Sequence, residues 1–430
     1  MAINDFECEQ YDFNTAFLNA LIPEDGKKYY VEQPTGLEKE DRHTWVCQLV
    51  RALYGLKRSP LFWFETLLPV LKALGFTPIG ADLCLLVNNT LGAIMVLYVD
   101  DFLLAAANLK IITHIKGTLE KKFKLKHLGP VGTFLGFDIV RNRTERTVFI
   151  SQERYTKTMI DKFTKGLAKG QDLHPTKTPW PPDFKIHGGG EVSGQQKAYI
   201  KSTGSLNYLS TGTRPDITFT VSKLCEGNAK PTDRHLTVMK HLYRYLTGHS
   251  DLGIVLGGRF SPTAGRLDLQ FRAYADASFA DNIPDRKSTA GHVVFLTCGP
   301  IHWKSKKQSL VTTSTTEAEF VNLVPTAKSL EWIGSMLKDL GLGVNTNQIL
   351  YTDSENARNR VLNVNVPARN RYIDIRYKWL IQQAEMKTIN VIHLAGEDMP
   401  ADGLTKALKA DKHAKFVKLI GLVQQKVPWT

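Results

Sequence analysis

The 430-residue sequence has few cysteines, no long hydrophobic run and no internal repeat. Its five cysteines (Cys8, Cys47, Cys84, Cys225 and Cys298) are far apart and form no CxxC pair or Cys/His cluster. This spacing argues against a structural zinc site and for a reducing compartment. The longest apolar run is well short of the roughly 20 residues that cross a bilayer. Because the N-terminus also lacks a signal-peptide layout, we predict a soluble intracellular protein with no membrane partner.

Basic residues outnumber acidic ones. There are 55 Lys and Arg against 42 Asp and Glu, which gives a formal net charge of +13. The positive residues are spread through the chain, and this distribution suits a surface that faces a polyanion. An ordinary basic protein is the alternative. A hydrophobic content of 43% is typical of globular proteins, and the length predicts two to four compact units.

The residues at 91–107 combine two apolar runs with a pair of adjacent carboxylates. Ile94 to Val99 and Phe102 to Ala107 are rich in residues that favour strands, and Asp100 and Asp101 lie between them as a two-residue turn. A solvent-facing Asp-Asp turn is one interpretation. However, such turns usually contain Gly or Asn, and two adjacent anions between buried strands are costly without a cation. A divalent metal with oxygen ligands is therefore the interpretation we favour.

Composition divides the rest of the chain. Residues 166–196 are rich in Pro, Gly and polar residues, which predicts an exposed linker or a long loop. Residues 197–257 show apolar positions at helical spacing, so we predict helices there. From about Arg266 the pattern changes to strands, helices and strands again, which predicts an independent α/β domain.

Four carboxylates in this last region lie at the ends or starts of predicted elements. Asp276 and Asp353 come at the ends of predicted strands, whereas Glu319 and Asp402 lie near the starts of predicted helices. Acids at such positions can converge on one pocket and hold two metal ions. Ordinary caps and turns are the alternative for each acid taken alone.

Several motifs together carry a family resemblance. The segment Tyr98–Asp101 resembles the YVDD box of reverse transcriptases, and QYDFNTAFLNA around Asp12 resembles their first carboxylate motif. The ordered acids after residue 270 resemble the D-E-D-D site of RNase H. From about Gln10 to about Leu422 the chain resembles the reverse transcriptase–RNase H portion of copia-class LTR retrotransposon (Pseudoviridae) Pol polyproteins.

The resemblance implies a fold class and domain limits. The implied fold is α+β and α/β multidomain: a partial right-hand polymerase palm with a helical thumb or connection, followed by an RNase H-like domain with a five-stranded mixed sheet. The implied limits are fingers and palm at 1–165, a linker at 166–196, a thumb or connection at 197–260 and the RNase H-like domain at 261–430.

In the polymerase half, the resemblance implies that Asp12 and Asp100 are catalytic metal ligands and that Asp101 supports them. Phe17 matches an aromatic gate against the ribose 2′-hydroxyl, although a buried core Phe is also consistent. The segment LYGLKRSP at 53–60 resembles a nucleotide-binding segment, whose implied substrate contacts are Gly55, Lys57 and Arg58. Candidate phosphate contacts in the thumb-like region are Lys201, Arg214, Lys240 and Arg244.

In the nuclease half, the resemblance implies catalysis and metal binding by four acids: Asp276, Glu319, Asp353 and Asp402. Its implied substrate contacts lie in three motifs, RKSTAG with Arg286, WKSKKQ with Lys304 and IDIRY with Arg376. His393 is the nearest histidine to assist product release, with a structural role at a strand end as the alternative. Each site would use two Mg²⁺ ions, with Mn²⁺ as a substitute.

The implied function is RNA-directed DNA synthesis and hydrolysis of the RNA strand of an RNA–DNA hybrid. The implied partners are an RNA template, a DNA primer, the hybrid and dNTPs, and the expected location is cytoplasmic (in a virus-like particle), nuclear or both. Only eleven residues precede Asp12, which leaves no room for a fingers hairpin, so we expect weak or no polymerase activity from this chain alone. The alternative is a truncated or domesticated relic that binds nucleic acid with nuclease activity only or with no catalysis.

Overall fold

The computed structural model describes residues 1–2, 4–23, 26–39, 44–166, 173–190, 194–258, 271–342, 348–362 and 375–425. The chain separates into two compact units near residue 131. The first consists mainly of Ile3–Val131, and the second of Gly132–Lys338 with Leu342–Thr430. The domain limits implied at residues 165, 196 and 260 stay predictions. Arg266 and parts of the predicted linker, at 167–172 and 191–193, lie outside the described residues.

The described residues of the first unit form eight strands and three helices. Its strands are β1 (Glu7–Phe13), β2 (Tyr30–Glu32), β3 (Val46–Gln48), β4 (Thr77–Ile79), β5 (Asp82–Asn88), β6 (Ala93–Tyr98), β7 (Asp101–Ala106) and β8 (Leu125–Pro130). Its helices are α1 (Ala16–Asn19), α2 (Ser59–Ala73) and α3 (Leu109–Leu119). Six strands form an antiparallel sheet in the order β4-β5-β6-β7-β1-β8. The predicted palm-like sheet with helices is confirmed.

Alternation along β1 decides which of its side chains face the core. Tyr11 and Phe13 are buried and pack against the ring of Phe102 on β7. Because successive side chains of a strand point to opposite faces, Asp12 lies on the other face of the sheet. Asp101 is its direct partner on β7. The two carboxylates therefore share one face of the sheet, away from the aromatic core.

The turn between β6 and β7 differs from the prediction by one residue. Tyr98 pairs with Asp101, so the turn residues are Val99 and Asp100, and Asp101 already belongs to β7. Val99 has a φ of 59°, a backbone conformation that is rare for a β-branched residue. The indole Nε1 of Trp63 donates to the Val99 carbonyl over 2.7 Å and holds the turn. The hairpin is confirmed, but the placement of both aspartates in the turn was wrong.

The second unit begins with short strands and helices. The strands are β9 (Thr133–Phe134), β10 (Phe137–Asn142), β11 (Thr147–Ser151) and, later in the chain, β12 (Leu252–Gly257). Between them lie α4 (Glu153–Lys165), α5 (Gln196–Gly212), a 3₁₀ turn (Pro215–Ile217), α6 (Thr218–Glu226) and α7 (Asp233–Gly248). The helices predicted for 197–257 are present, except that residues 252–257 form β12. These residues pair with β11 instead of extending the helix.

The described part of the predicted linker is a packed loop. Residues 173–190 contain no helix or strand, but Leu173, Trp180 and Ile186 are buried in the core of the neighbouring helices. The Trp180 indole also donates to the carbonyl of Phe184 over 3.0 Å. The long-loop alternative therefore fits this segment, and its three buried side chains attach it to the helices.

A buried ion pair corrects one predicted phosphate contact. Arg214 is 1% exposed and donates from Nε and Nη2 to both carboxylate oxygens of Asp216, at 2.8 and 2.7 Å. The hydroxyl of Tyr245 donates to the same carboxylate over 2.7 Å. Arg214 is thus occupied inside the helical core and is not available to a nucleic acid backbone.

The remaining elements include the sheet predicted for the nuclease. They are β13 (Phe271–Ser278), β14 (Thr289–Leu296), β15 (Gly299–Lys307), α8 (Thr315–Asp339), β16 (Gln348–Thr352), α9 (Glu355–Val361), α10 (Ile375–Glu385), β17 (Ile389–His393), 3₁₀ turns at Gly396–Asp398 and Asp402–Leu404, α11 (Ala410–Leu419) and β18 (Leu422–Gln424). The order is β15-β14-β13-β16-β17, with the first three strands antiparallel and the last two parallel to β13. The predicted five-stranded mixed sheet with flanking helices is confirmed.

A further sheet of the second unit combines strands from distant parts of the sequence. Its order is β18-β12-β11-β10-β9, and every neighbouring pair is antiparallel. Residues 422–424 therefore complete a sheet that begins at residue 133. Across the part of the chain that the structure describes, no helix is both long and apolar enough to span a membrane.

Candidate active sites

Three carboxylates meet where β13 and β16, two neighbouring strands of the five-stranded mixed sheet, end. Asp276 lies near the end of β13, Asp353 directly follows the parallel strand β16, and Glu319 lies near the start of α8. One carboxylate oxygen from each residue lies within 4.8 Å of the other two. Among the described residues, no other set of three His, Cys, Asp or Glu side chains meets this criterion. The predicted convergence of acids from strand ends and a helix start therefore occurs for these three residues.

Burial and mutual repulsion dominate the electrostatics of this cluster. Asp276 is 4% and Glu319 is 7% exposed. Burial, with the charges of Asp276 and Asp353, raises the pKa of Glu319 to about 9. Burial likewise raises the pKa of Asp276 to about 6, although the hydroxyl of Thr405 works against this shift. The pKa of Asp353 is also raised, mainly by burial. The site favours a cation or protons over three bare anions.

The fourth predicted acid lies beside the cluster and makes an ion pair. Asp402 opens the 3₁₀ turn Asp402–Leu404, and its carboxylate contacts the ammonium of Lys406. Burial works against the charged form of Lys406, but the hydrogen bond and charge of Asp402 raise its pKa, and the charges of Asp276 and Asp353 add to the shift. Asp402 is not a member of the group of three. The sequence interpretation missed Lys406, although its spacing of four residues from Asp402 was a usable signal.

Two further polar residues hold the cluster in place. The hydroxyl of Thr405 donates to the Asp276 carboxylate, and the amide of Asn322 donates to the backbone carbonyls of Asp276 and Gly291, both over 2.8 Å. The backbone N–H of Ala277 donates to Glu319 over 2.9 Å. Asn322 was also missed, and its position three residues after Glu319 on one helix face could have indicated it.

The predicted substrate residues of the nuclease half have different outcomes. Arg286 is exposed in the loop between β13 and β14, and Lys304 is exposed on β15. Lys304 borders a groove of about 330 Å³, together with Lys306, Lys307 and Lys328. Ile373 and Asp374 of the IDIRY motif and the side chain of Arg376 lie outside the described residues.

His393 has a structural contact at the end of β17. Its Nε2 lies 3.1 Å from the backbone carbonyl oxygen of Asp353. This contact joins the ends of two parallel strands, and it fits the structural alternative for His393.

The polymerase acids lie on a strand pair and its turn. Asp12 faces Asp101 across β1 and β7, and the backbone N–H of Phe13 donates to the Asp100 carbonyl over 2.8 Å. All three aspartates are partly exposed. Burial raises the pKa of Asp12 and of Asp101, and the charge of Asp100 adds to both shifts. The structure thus places the three aspartates close together. They are more exposed to solvent than Asp276 and Glu319.

Aromatic residues border the polymerase acids. Phe17 is 8% exposed, and its ring packs on Tyr54 with centroids 4.7 Å apart. Burial raises the pKa of Tyr54, and the charges of Asp100 and Asp12 add to this shift. Tyr54 was not singled out from the sequence, although it precedes Gly55 in the quoted motif.

The other predicted contacts of this motif lie at the surface. Gly55 has a φ of 94°, and a side chain there would meet no atom within 4 Å. Lys57 and Arg58 are exposed, and the Arg58 guanidinium lies 5.1 Å from the ring centroid of Phe62. Their exposure and charge suit the predicted contact with a polyanion.

Comparison with known proteins identifies relatives along nearly the whole chain. Residues 1–176 match a family model described as reverse transcriptase (RNA-dependent DNA polymerase). The retrovirus-related Pol polyprotein from transposon TNT 1-94 of Nicotiana tabacum is 33% identical over 97% of this chain. The chain spans only 31% of that relative's length.

A shorter relative is matched from end to end. The putative transposon Ty5-1 protein of Saccharomyces cerevisiae is 30% identical over 74% of this chain and 100% of its own length. One solved structure, the foamy viral protease-reverse transcriptase in complex with dsDNA, is 14% identical with a TM-score of 0.49, over 91% of this chain and 68% of that chain. On the sequence matches, the chain belongs to the family of copia-class LTR retrotransposon Pol proteins.

Proposed function

We propose that the second unit is a ribonuclease H that hydrolyses the RNA strand of an RNA–DNA hybrid. The observation that carries this proposal is the approach of Asp276, Glu319 and Asp353 to within 4.8 Å at the edge of the mixed sheet. Carboxylates brought so close from different elements repel one another, and a divalent cation relieves that repulsion. The basic groove beside α8 supports a polyanionic substrate.

The donor atoms of the site fit magnesium. All of them are carboxylate oxygens, which hard cations such as Mg²⁺ prefer. The Oε2 atom of Glu319 is buried and has no hydrogen-bond partner among the described residues, so it is ready to act as a ligand. Asp276, Glu319 and Asp353 would hold the ions, and Asp402 would join them. When bound, a pair of such ions supplies a hydroxide nucleophile and stabilises the leaving 3′-oxygen.

The protein's own residues have separate tasks in this reaction. Thr405 orients the carboxylate of Asp276, and Ala277 orients that of Glu319, through the hydrogen bonds described above. Arg286 and Lys304 hold the phosphates of the hybrid from two exposed positions. The ribose 2′-hydroxyl distinguishes the strand that is cut from the DNA strand.

We also propose that the first unit is the palm of an RNA-directed DNA polymerase. Asp12 and Asp100 would hold Mg²⁺ for the primer 3′-hydroxyl and the triphosphate, with Asp101 in support. Phe17, backed by Tyr54, would exclude a ribose 2′-hydroxyl from the incoming nucleotide. The shared face of Asp12 and Asp101 supports this proposal. Extension of a labelled DNA primer on an RNA template, compared between wild type and Asp100→Asn, tests it.

Cleavage of a labelled RNA–DNA hybrid tests the nuclease. We expect the full chain to cut the RNA strand in Mg²⁺ and not in EDTA, and we expect Asp353→Asn to abolish cutting without loss of folding. Duplex DNA of the same sequence is the matched control substrate. Binding of the hybrid with no cutting in Mg²⁺ or Mn²⁺ would contradict the proposal and favour a binding protein that has lost catalysis.

A further inference from the structure

A cluster of charges joins α6 to the loop that carries Arg286. This loop, residues 279–288, connects β13 to β14 and is called the hairpin loop below. It begins three residues after Asp276. Lys223 contacts it directly from α6, which precedes the mixed sheet in the sequence, and Glu226 of the same helix is linked to it through Lys307. The spacing of three residues puts both side chains on one face of α6.

Lys223 is the buried centre of this cluster. Its side chain is 6% exposed, and its ammonium lies 3.0 Å from the Asp281 carboxylate. The same ammonium donates to the hydroxyl of Thr289 over 2.9 Å, and that hydroxyl donates to Asp281 over 2.7 Å. Lys223 thus holds both ends of the hairpin loop through one triangle of contacts. A buried ammonium with such partners is costly to replace, because its removal leaves Asp281 without its cation.

A second bridge holds the tip of the hairpin loop. Glu226 lies 2.9 Å from the ammonium of Lys307 on β15, and Lys307 lies 3.0 Å from the carboxylate of Asp285. The other oxygen of Asp285 accepts hydrogen bonds from the Asn282 side chain, over 2.6 Å, and from the backbone N–H of Lys287, over 3.1 Å. The bridge therefore fixes the two residues that flank Arg286.

Arg286 itself has a constrained backbone. Its φ is 55°, an uncommon value for a residue with a side chain, and its N–H donates to the Asn282 carbonyl over 2.7 Å. Such a conformation persists where the surroundings hold it in place. The surroundings here are the two bridges from α6, so the direction of an exposed arginine depends on an element outside the nuclease sheet.

We propose that Lys223 is a positioning residue for binding of the RNA–DNA hybrid, acting through the hairpin loop and Arg286. Lys223 does not touch the substrate. It keeps the loop ordered before binding, so that the hybrid need not supply that ordering. This inference rests on the proposed nuclease function, and it makes the helical segment a working part of the nuclease.

The test compares Lys223→Met with Lys230→Met, an exposed lysine just after the same helix. Because ordering a loop and its side chains weakens binding, we expect Lys223→Met to raise the KM for hybrid cleavage about tenfold with little change in kcat. The slope of log KM against log salt should fall by about one, as for the loss of one phosphate contact. Lys230→Met should change neither quantity, and Lys223→Arg should restore most of the affinity.

A double mutant tests whether Lys223 acts through Arg286. Arg286→Ala alone should raise KM by a similar factor, and adding Lys223→Met to it should have no further effect. Independent, multiplying effects on KM would overturn the proposal, as would a Lys223→Met variant that is only less stable. If that variant does not fold, Asp281→Asn replaces it, since it removes the carboxylate that the Lys223 ammonium contacts. An unchanged KM in Asp281→Asn would then overturn the proposal.

Failure of the proposed function has a different signature. If the wild type binds hybrid but never cuts it, the nuclease proposal is wrong. The variants are then compared by their Kd for the hybrid instead of by KM. Hydrogen exchange of the Asn282 and Arg286 amides gives an independent readout. Faster exchange in Lys223→Met than in Lys230→Met, with weaker hybrid binding, supports the positioning role. Equal exchange in both variants overturns it.

Discussion

The two sets of acids in this molecule are built differently. The nuclease set comes from two strand ends and a helix start. Its three closest members are Asp276, Glu319 and Asp353, of which the first two are buried. The polymerase set lies on one strand pair and its turn, where all three members are partly exposed. Solvent screens repulsion between exposed charges far more than between buried ones. Repulsion is therefore weaker among the polymerase acids than among the nuclease acids, where it favours protons or a cation more strongly.

The largest expected effect separates the two sets. Glu319→Gln removes a charged ligand, so hybrid cleavage should fall more than about a thousandfold, as for other groups that act directly on the reaction. Asp100→Asn, in the other unit, should leave that rate within about twofold. Initial rates of hybrid cleavage with matched protein and Mg²⁺ concentrations measure both. An equal loss in the two variants would show that the two sets do not work separately.

The strained turn of the polymerase set provides the next effect. Trp63→Phe leaves the Val99 carbonyl without its indole donor and creates a small cavity. Together these changes should lower the free energy of unfolding of the first unit by about 2–4 kcal/mol. Trp45→Phe, at a side chain that is 57% exposed, should change it by less than about 0.5 kcal/mol. Denaturant unfolding, with hydrogen exchange of β6 and β7 amides as the probe, measures the change. Equal free energies of unfolding for the two variants would contradict the role of Trp63.

A smaller effect concerns the support of the nuclease set. Thr405→Val keeps the shape of the side chain but removes the donor to Asp276, so cleavage or Mg²⁺ affinity should fall about 10–100-fold. Thr405→Ser keeps the hydroxyl and should retain most activity. Cleavage rates across a Mg²⁺ titration measure the difference. If the Val variant matches wild type, the hydrogen bond does not orient Asp276.

The smallest expected effect is a pH dependence of stability in EDTA. The pKa of Glu319 is about 9 in the folded protein, against an ordinary value of 4.5, so the folded state keeps a proton that the unfolded state has released. Stability should therefore fall as the pH rises from about 5 to about 9, with Asp276 contributing at the lower end. We expect a decrease of a few degrees in the melting temperature.

Mg²⁺ and a substitution at Glu319 should both change this pH dependence. Mg²⁺ should restore most of the lost stability, and Glu319→Gln should flatten the profile. Melting temperatures at pH 5, 7 and 9, with EDTA and with Mg²⁺, test this. A stability that rises with pH in EDTA would contradict the buried carboxyl cluster.

Sequence reasoning predicted the parts of the molecule that local chemistry decides. The hairpin around Asp100, the helices before residue 250 and the meeting of Asp276, Glu319 and Asp353 follow from periodicity, strand ends and helix starts. The position of the turn was wrong by one residue, because Val99 adopts a backbone conformation that its residue type disfavours. No composition rule anticipates such a turn, since a partner 36 residues away in sequence, Trp63, stabilises it.

The missed features depend on distant pairing. β12 and β18 are short strands whose conformation is decided by each other and by β11, not by their own periodicity. Nothing in the sequence marks Arg214 as buried. Only the packing of the helices shows that it forms a buried ion pair with Asp216. Lys406 and Thr405 were absent from the predicted site because the sequence alone does not show that their turn packs against Asp276.

The pairing of β18 with β12 has a consequence for how this protein is made. During synthesis the ribosome releases residues 133–257 long before residues 422–424, so the edge of β12 waits for its partner through some 165 intervening residues. Contacts so distant in sequence form slowly, and an unpaired strand edge invites pairing with other chains. We therefore expect the second unit to mature after translation and to depend on chaperones while β12 is uncovered.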